Sequence, residues 1–189
     1  MFGPAPSAVE GSRRVKTKLC MLTVVALAIW GMKRYYADAR ADDLWWILSP
    51  TARLVGVMTG TVFAVAPGEG YFSHERLFLI EKSCAGINFM VAAFGMLTFA
   101  RFHRVGSGVS GARVLGASLL ASYLAAVVVN ATRIAIAMWL AAHPVALTTF
   151  TSAQVHRFEG ITVYFGGLVL LYELVQRFDR CAALPRTEP

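Results

Sequence analysis

The stretch VLGASLLASYLAAVVV, Val114–Val129, contains no charged side chain. An α-helix rises about 1.5 Å per residue, so this run would be about 24 Å long, close to the thickness of the hydrocarbon core of a bilayer. Three other long apolar runs lie at Leu19–Met32, Ala85–Ala100 and Gly160–Gln176. Runs of this kind are typical of membrane-spanning helices, and they decide the fold class.

The composition of the whole chain supports the same class. Of 189 residues, 57% are hydrophobic and 15% are charged, with a mean hydropathy of +0.57. A soluble domain usually carries about a quarter charged residues. We therefore predict an all-α membrane protein, a polytopic helical bundle of about four to six spans in the plasma (inner) membrane, with the lipid bilayer as a partner. The net charge is +7, and the basic residues lie mostly at the ends of apolar runs. This placement suits membrane topology and indicates no nucleic-acid partner.

The chain divides into a basic cytoplasmic N-terminus (1–18), a single membrane-embedded domain (19–180) and a short C-terminal tail (181–189). The first apolar run could instead belong to a signal peptide, since basic residues precede it. However, it ends in Lys33, Arg34, Tyr35 and Tyr36 rather than at a small-residue cleavage site. Cations and tyrosines of this kind suit the end of a retained span.

The region between the first two spans has a different character. Ala41–Pro50 mixes aspartates with tryptophans and favours the membrane interface, and Leu54–Ala66 is too short to cross. Thr61–Val65 is β-branched and aromatic, a Pro-Gly turn follows, and two short extended pieces end at Ile80. These features predict a small β-meander at the outer face.

Charge placement predicts the orientation. With the N-terminus inside and four spans, ten Lys and Arg residues fall in inner segments and eight in outer ones, where acidic residues offset them. The inner basic residues are Arg13, Arg14, Lys16, Lys18, Arg101, Arg104, Arg113, Arg177, Arg180 and Arg186. The acidic residues expected outside are Asp38, Asp42, Asp43, Glu69, Glu75, Glu81 and Glu159.

Helical rise then places three chemically active residues at one depth. Cys84, Arg133 and His156 lie roughly 25, 30 and 31 Å from the basic residues that mark the inner ends of their spans, which are Arg101, Arg113 and Arg177. All three should therefore meet near the outer boundary. A helix N-terminus and a nearby cation favour a nucleophilic thiolate at Cys84, Arg133 offers donors to an oxyanion, and His156 can transfer a proton near neutral pH. Gly86 would let a substrate backbone approach closely.

Each residue also has a plain structural interpretation. A lone cysteine in an apolar protein is more often inert packing, which is how we interpret Cys20 and Cys181. Asn130 and Arg133 are three residues apart and share a helix face, so they could simply hydrogen-bond a neighbouring helix. The alternative to an enzyme is therefore a non-enzymatic membrane assembly or scaffold protein.

Three short motifs resemble the exosortase/archaeosortase family of membrane transpeptidase-like enzymes. They are Ser83-Cys84-Ala85-Gly86-Ile87-Asn88-Phe89, Asn130-Ala131-Thr132-Arg133-Ile134 and His156-Arg157-Phe158-Glu159-Gly160. Their order and their placement at span ends match the family pattern between roughly Trp45 and Tyr172. The short chain resembles the compact variant exosortase K.

The resemblance implies a cysteine endopeptidase or transpeptidase that cleaves C-terminal sorting signals of exported, membrane-anchored proteins through an acyl-enzyme. Cys84 would be the nucleophile, Arg133 the oxyanion stabiliser and His156 the acid/base. The supporting or substrate-binding residues would be Gly86, Asn88, Asn130 and Glu159. The active site would face the periplasm or outside, and no cofactor is expected.

Two other enzyme classes fit the sequence poorly. His74-Glu75 begins a zinc-protease pattern, but Phe78 stands where the second histidine belongs, so no metal site is expected. A disulfide-handling enzyme would need a second outer-face cysteine, and the chain has no Cys-x-x-Cys pair.

Overall fold

The computed structural model describes residues 8–105, 107–143 and 152–183. Five α-helices and three short strands make up most of this part, together with three single-turn 3₁₀ segments at Asp42–Leu44, Lys82–Ala85 and Phe102–Arg104. In chain order the elements are α1 (Ala8–Asp38), α2 (Trp45–Thr59), β1 (Ala64–Ala66), β2 (Gly70–Ser73), β3 (Phe78–Ile80), α3 (Ile87–Ala100), α4 (Gly108–Ala142) and α5 (Ser152–Ala183).

Within the described ranges, four helical segments are long and apolar enough to cross a bilayer. They are Val15–Asp38, Lys82–Ala100, Gly108–Ala142 and Arg157–Arg180. The predicted helical architecture is confirmed, and these four candidate spans equal the lower end of the expected four to six. Large apolar side chains on α1 and α5 point away from the bundle, with Trp30 66% and Phe165 68% exposed, and such faces suit contact with lipid.

The region between α1 and α3 contains the predicted β-meander. Its three antiparallel strands lie in the order β1-β2-β3, with Val65 opposite Tyr71 and Phe72 opposite Leu79. The first strand begins at Ala64, not at Thr61, because α2 continues to Thr59 and Gly60 reverses the chain. The sequence did not reveal α2 itself, whose buried face is formed by Ile47, Leu48, Thr51, Ala52 and Val55.

The polar residues Asn130, Thr132 and Arg133, which follow the apolar run Val114–Val129, lie inside α4. The helix runs unbroken for 35 residues, about 52 Å, because polar side chains leave its backbone hydrogen bonds intact. It begins with a capping box, in which the Ser107 hydroxyl accepts from the Ser110 backbone N–H and the Ser110 hydroxyl accepts from the Ser107 N–H. Similarly, α5 begins at Ser152, so His156 lies inside a helix rather than in a polar connection.

The core lies where α2, α3 and α4 meet, beneath the end of β3. Its fully buried side chains include Leu44, Ile47, Leu48, Val55, Ile80, Phe89 and Ile134. At the opposite end of α3, Arg101 makes a bidentate ion pair with Asp179 of α5, with N–O distances of 3.0 and 3.1 Å. Arg101 therefore joins two helices instead of simply marking the end of a span.

Candidate active site

Cys84 lies on the 3₁₀ turn that connects the meander to α3. The turn follows β3 after one residue, and the Cys84 backbone N–H donates to the Glu81 carbonyl at 2.9 Å. The thiol is half-buried, and its Sγ atom is 3.9 Å from the Ser83 hydroxyl. That hydroxyl also donates to the Glu81 carboxylate at 2.6 Å. The cysteine therefore sits on a short, hydrogen-bonded turn with one side open.

Gly86 links this turn to α3 through a left-handed conformation, with φ at +69°. A Cβ atom at this position would lie 3.1 Å from both Cβ and Cγ of Asn130, closer than side chains normally pack. Position 86 therefore favours glycine for two local reasons, which are the left-handed backbone conformation and the close approach of Asn130. The close neighbour of Gly86 is a side chain of this protein, which the sequence did not indicate.

Asn130 is fully buried and uses both ends of its amide. Its Nδ2 donates to the backbone carbonyl of Cys84, and its Oδ1 accepts from the Tyr164 hydroxyl at 2.9 Å and from Arg133 Nε at 3.4 Å. A buried amide without partners would be unfavourable, so these bonds fix the side chain. One residue of α4 thereby joins the cysteine turn, Arg133 and α5.

The Arg133 side chain points into the helical bundle rather than away from it. Its guanidinium carbon lies 5.4 Å from the centre of the Tyr164 ring, a cation–π arrangement. Its Nη1 would be 3.9 Å from a Cβ atom at Gly160, so the side chain passes close to the α5 backbone. The guanidinium therefore lies between α4 and α5, next to the residues that contact the cysteine turn.

His156 lies on α5, but its side chain is outside the part of the structure that is described. Positions 156, 160 and 164 are spaced by four residues and share one helix face. Gly160 and Tyr164 on that face both lie against Arg133. Glu159, which precedes Gly160 on α5, is half-buried. The α5 backbone thus places position 156 one turn from the Arg133 guanidinium.

Asn88, the remaining candidate, takes part in a different contact. It is exposed on the first turn of α3, and its Oδ1 accepts from Lys33 Nζ of α1 at 2.7 Å. The cysteine turn is tied to α1 at a second point, where the Tyr36 hydroxyl donates to the Lys82 carbonyl at 3.3 Å. Asn88 therefore joins α1 to α3 and is not hydrogen-bonded to the Asn130 group.

Tyr164 is the residue of this group that sequence reasoning missed. Its hydroxyl donates to Asn130, and its ring lies against the Arg133 guanidinium. The ring also packs against Phe89, with 5.5 Å between the ring centroids. A signal was present, because Tyr164 follows His156 by eight residues and so falls on the same helix face.

A cavity of about 650 Å³ opens elsewhere, between the end of α2, the β2–β3 hairpin and the last turns of α4. Thr132 and Trp139 contribute to its lining. With 3.6 residues per turn, these two positions lie on the opposite side of α4 from Asn130. The cavity is therefore separate from the residues around Cys84.

The described residues contain no group of three or more His, Cys, Asp or Glu side chains able to hold a metal ion. The His74 ring packs edge-on against Phe72 at 4.9 Å. Comparison of the chain with protein-family models, curated proteins and solved structures finds no match. The contacts on which a function can be based are those that join the backbone of the cysteine turn to Asn130 and Asn130 to Arg133.

Proposed function

We propose that this chain is a membrane cysteine endopeptidase or transpeptidase of the exosortase/archaeosortase kind. The observation that carries the proposal is the contact made by Asn130. It hydrogen-bonds the cysteine turn at one end of its amide and Arg133 at the other, although Cys84 and Arg133 are distant in sequence. An acyl-transfer site needs a nucleophile and an oxyanion donor near each other, and Asn130 joins the turn that carries the thiol to the guanidinium.

The reaction would proceed through a thioester. The Cys84 thiolate attacks the carbonyl carbon of the scissile peptide, and the oxyanion that develops accepts hydrogen bonds from Arg133. When the C–N bond breaks, His156 gives a proton to the leaving amine. Water or a second amine then attacks the thioester, transfers its proton to His156 and releases the Cys84 sulfur. The enzyme is restored with atoms and charge in balance.

The proposed substrates are exported proteins that end in a sorting signal, a transmembrane helix and basic residues. Such a substrate shares the bilayer with the enzyme, so its cleavage site would lie near the membrane surface. We place the N-terminus in the cytoplasm and the cysteine turn at the periplasmic or outer face of the plasma membrane. The four apolar helices and the basic residues at the Arg101 end of the bundle support this orientation.

Cleavage of a membrane-anchored substrate by the purified, reconstituted chain tests the proposal. Cys84→Ala and Cys84→Ser should abolish turnover, since neither side chain supplies a thiolate at neutral pH. Arg133→Lys should lower the rate by about 10²–10³-fold, because a point charge does not replace the planar fork of donors. His156→Ala should lower the rate and flatten its pH dependence near neutrality.

Cys20→Ala is the matched control, because Cys20 lies on the exposed surface of α1 and should leave turnover unchanged. Wild-type turnover by the Cys84→Ala chain would rule out the cysteine mechanism. Turnover lost to the same extent in the Cys20→Ala chain would show that thiol removal acts through folding.

A second candidate function is that of a non-enzymatic assembly or scaffold protein. It is favoured by the full burial of Asn130, whose hydrogen bonds all remain within the chain and join α4, α5 and the turn before α3. In that case the polar group only holds helices together. Cys84→Ala would then be silent in every assay, whereas loss of Asn130 would still impair folding.

A further inference from the structure

We infer that Tyr164 is a positioning residue, which holds the Arg133 guanidinium beside the cysteine turn. The inference deepens the proposed function and rests on it only for the assignment of Arg133 as the group that faces the thiolate. Tyr164 does not need to touch substrate for this role. It acts through two side chains of α4.

The first contact is made by the Tyr164 ring. The Arg133 guanidinium carbon lies 5.4 Å from the ring centre, so the aromatic face limits where the cation can move. The ring is itself held from another side by Phe89 of α3. The ring thus limits the position of the guanidinium between α4 and α5.

The second contact is made by the hydroxyl. It donates to Asn130 Oδ1 at 2.9 Å, the same oxygen that accepts from Arg133 Nε at 3.4 Å. A donor at this distance orients the amide, so that the opposite end, Nδ2, faces the Cys84 carbonyl. Tyr164 therefore fixes the orientation of a side chain that contacts both the cysteine turn and Arg133.

The two contacts of Tyr164 predict how substitutions should change the position of Arg133. Tyr164→Phe keeps the ring and removes only the hydroxyl, so the amide of Asn130 loses its shorter hydrogen bond on the oxygen side. Arg133 then retains a single long bond to that oxygen and can move away from the cysteine. The loss should appear as a weaker electrostatic influence of Arg133 on Cys84.

The selectivity of Cys84 alkylation measures this influence without a substrate. In each reaction the thiolate forms a C–S bond and iodide leaves, with anionic iodoacetate or neutral iodoacetamide as the reagent. A cation close to the sulfur raises the iodoacetate rate relative to the iodoacetamide rate. The measurements use the full chain in detergent, with Cys20→Ser and Cys181→Ser so that Cys84 is the thiol that reacts.

We expect Arg133→Gln to lower the ratio of the two rates by about three- to tenfold, as expected for removal of one nearby charge. Tyr164→Phe should lower the ratio in the same direction. In the Arg133→Gln background, Tyr164→Phe should have no further effect, because the cation that it positions is absent. An unchanged ratio in Tyr164→Phe, or an equal fall in both backgrounds, would overturn the inference.

Tyr123→Phe is the matched control. It also removes a half-buried interhelical tyrosine hydrogen bond, from the Tyr123 hydroxyl to the Trp46 carbonyl at 2.8 Å, about two turns of α4 before Asn130. It should lower thermal stability about as much as Tyr164→Phe and leave the ratio unchanged. A similar fall in the ratio would show that general loosening, rather than positioning, explains the result.

Because alkylation needs no protein substrate, a chain that fails to cleave any substrate can still confirm or refute the role of Tyr164.

Discussion

At the scale of single residues, Gly86 and Asn130 determine where the cysteine turn lies. The turn can approach α4 only because Gly86 has no side chain and adopts a φ of +69°, and Asn130 fills the space that results. The amide then hydrogen-bonds the carbonyl of Cys84. Together, this pair of residues sets the distance between the thiol and the helix that carries Arg133.

Gly60 allows the two effects at Gly86 to be separated. It has nearly the same conformation, with φ at +66°, but no atom within 4 Å of the position of a Cβ. Gly60→Ala should lower the free energy of unfolding by about 1–2 kcal/mol through backbone strain alone. Gly86→Ala should lower it by about 1–3 kcal/mol more, because the methyl group displaces Asn130.

Thermal or denaturant unfolding in detergent, compared with the unsubstituted chain, measures both changes. Equal losses for the two substitutions would mean that the contact between Gly86 and Asn130 does not contribute to stability. The alkylation rate of Cys84 should change only in the Gly86→Ala chain, since only that turn contains the cysteine.

At the scale of elements, the packing of α5 against α3 and α4 brings the third motif to the other two. The helices approach closely at Gly167, where a Cβ atom would lie 2.8 Å from both Cγ atoms of Val129 and 3.2 Å from the Phe89 ring. The Arg101–Asp179 ion pair ties α5 to α3 farther along. These two contacts determine which face of α5 meets Arg133.

Adjacent glycines on α5 provide a direct test of this packing. Gly166 has no atom within 4 Å of the position of a Cβ, so Gly166→Ala should be neutral or stabilise the helix by up to about 1 kcal/mol. Gly167→Ala should instead destabilise the protein by about 1–3 kcal/mol, because α5 must move away from Val129 and Phe89. Unfolding midpoints of the two variants measure the difference. Identical midpoints would show that α5 is not held at this glycine.

At the scale of the whole molecule, the proposed topology makes each cysteine a marker of one side of the membrane. Cys20 lies in the first half of α1, Cys84 lies before α3, and Cys181 is near the end of α5. With the N-terminus in the cytoplasm, a membrane-impermeant maleimide added to intact cells should label Cys84. Cys20 and Cys181 should be labelled only after the membrane is opened.

A Cys84→Ser chain is the control, and it should take up no label until the cells are permeabilised. Label on Cys20 or Cys181 in intact cells, or label on Cys84 only after permeabilisation, would contradict this topology. The accessibility of each cysteine to the maleimide does not depend on catalysis, so the labelling tests the orientation separately from the proposed reaction.

The sequence by itself determined the helical class, the positions of the apolar runs and the small meander. Composition and hydropathy are properties of local stretches. Long runs without charge can therefore be identified as candidate spans from the sequence alone. The β-branched, aromatic and turn residues between Thr61 and Ile80 are equally local. The apolar run ends at Val129, whereas the helix continues past Asn130 and Arg133 to Ala142, so hydropathy did not indicate the end of this helix.

The tertiary structure alone decided how the three motifs are connected. Helical rise could place Cys84 and Arg133 at one depth, but depth does not specify which faces of two helices meet. That choice depends on close packing at Gly86 and Gly167, and on a buried amide that must satisfy all its hydrogen bonds at once. Because those partners come from distant parts of the chain, the roles of Asn130 and Tyr164 became visible only when the helices were packed.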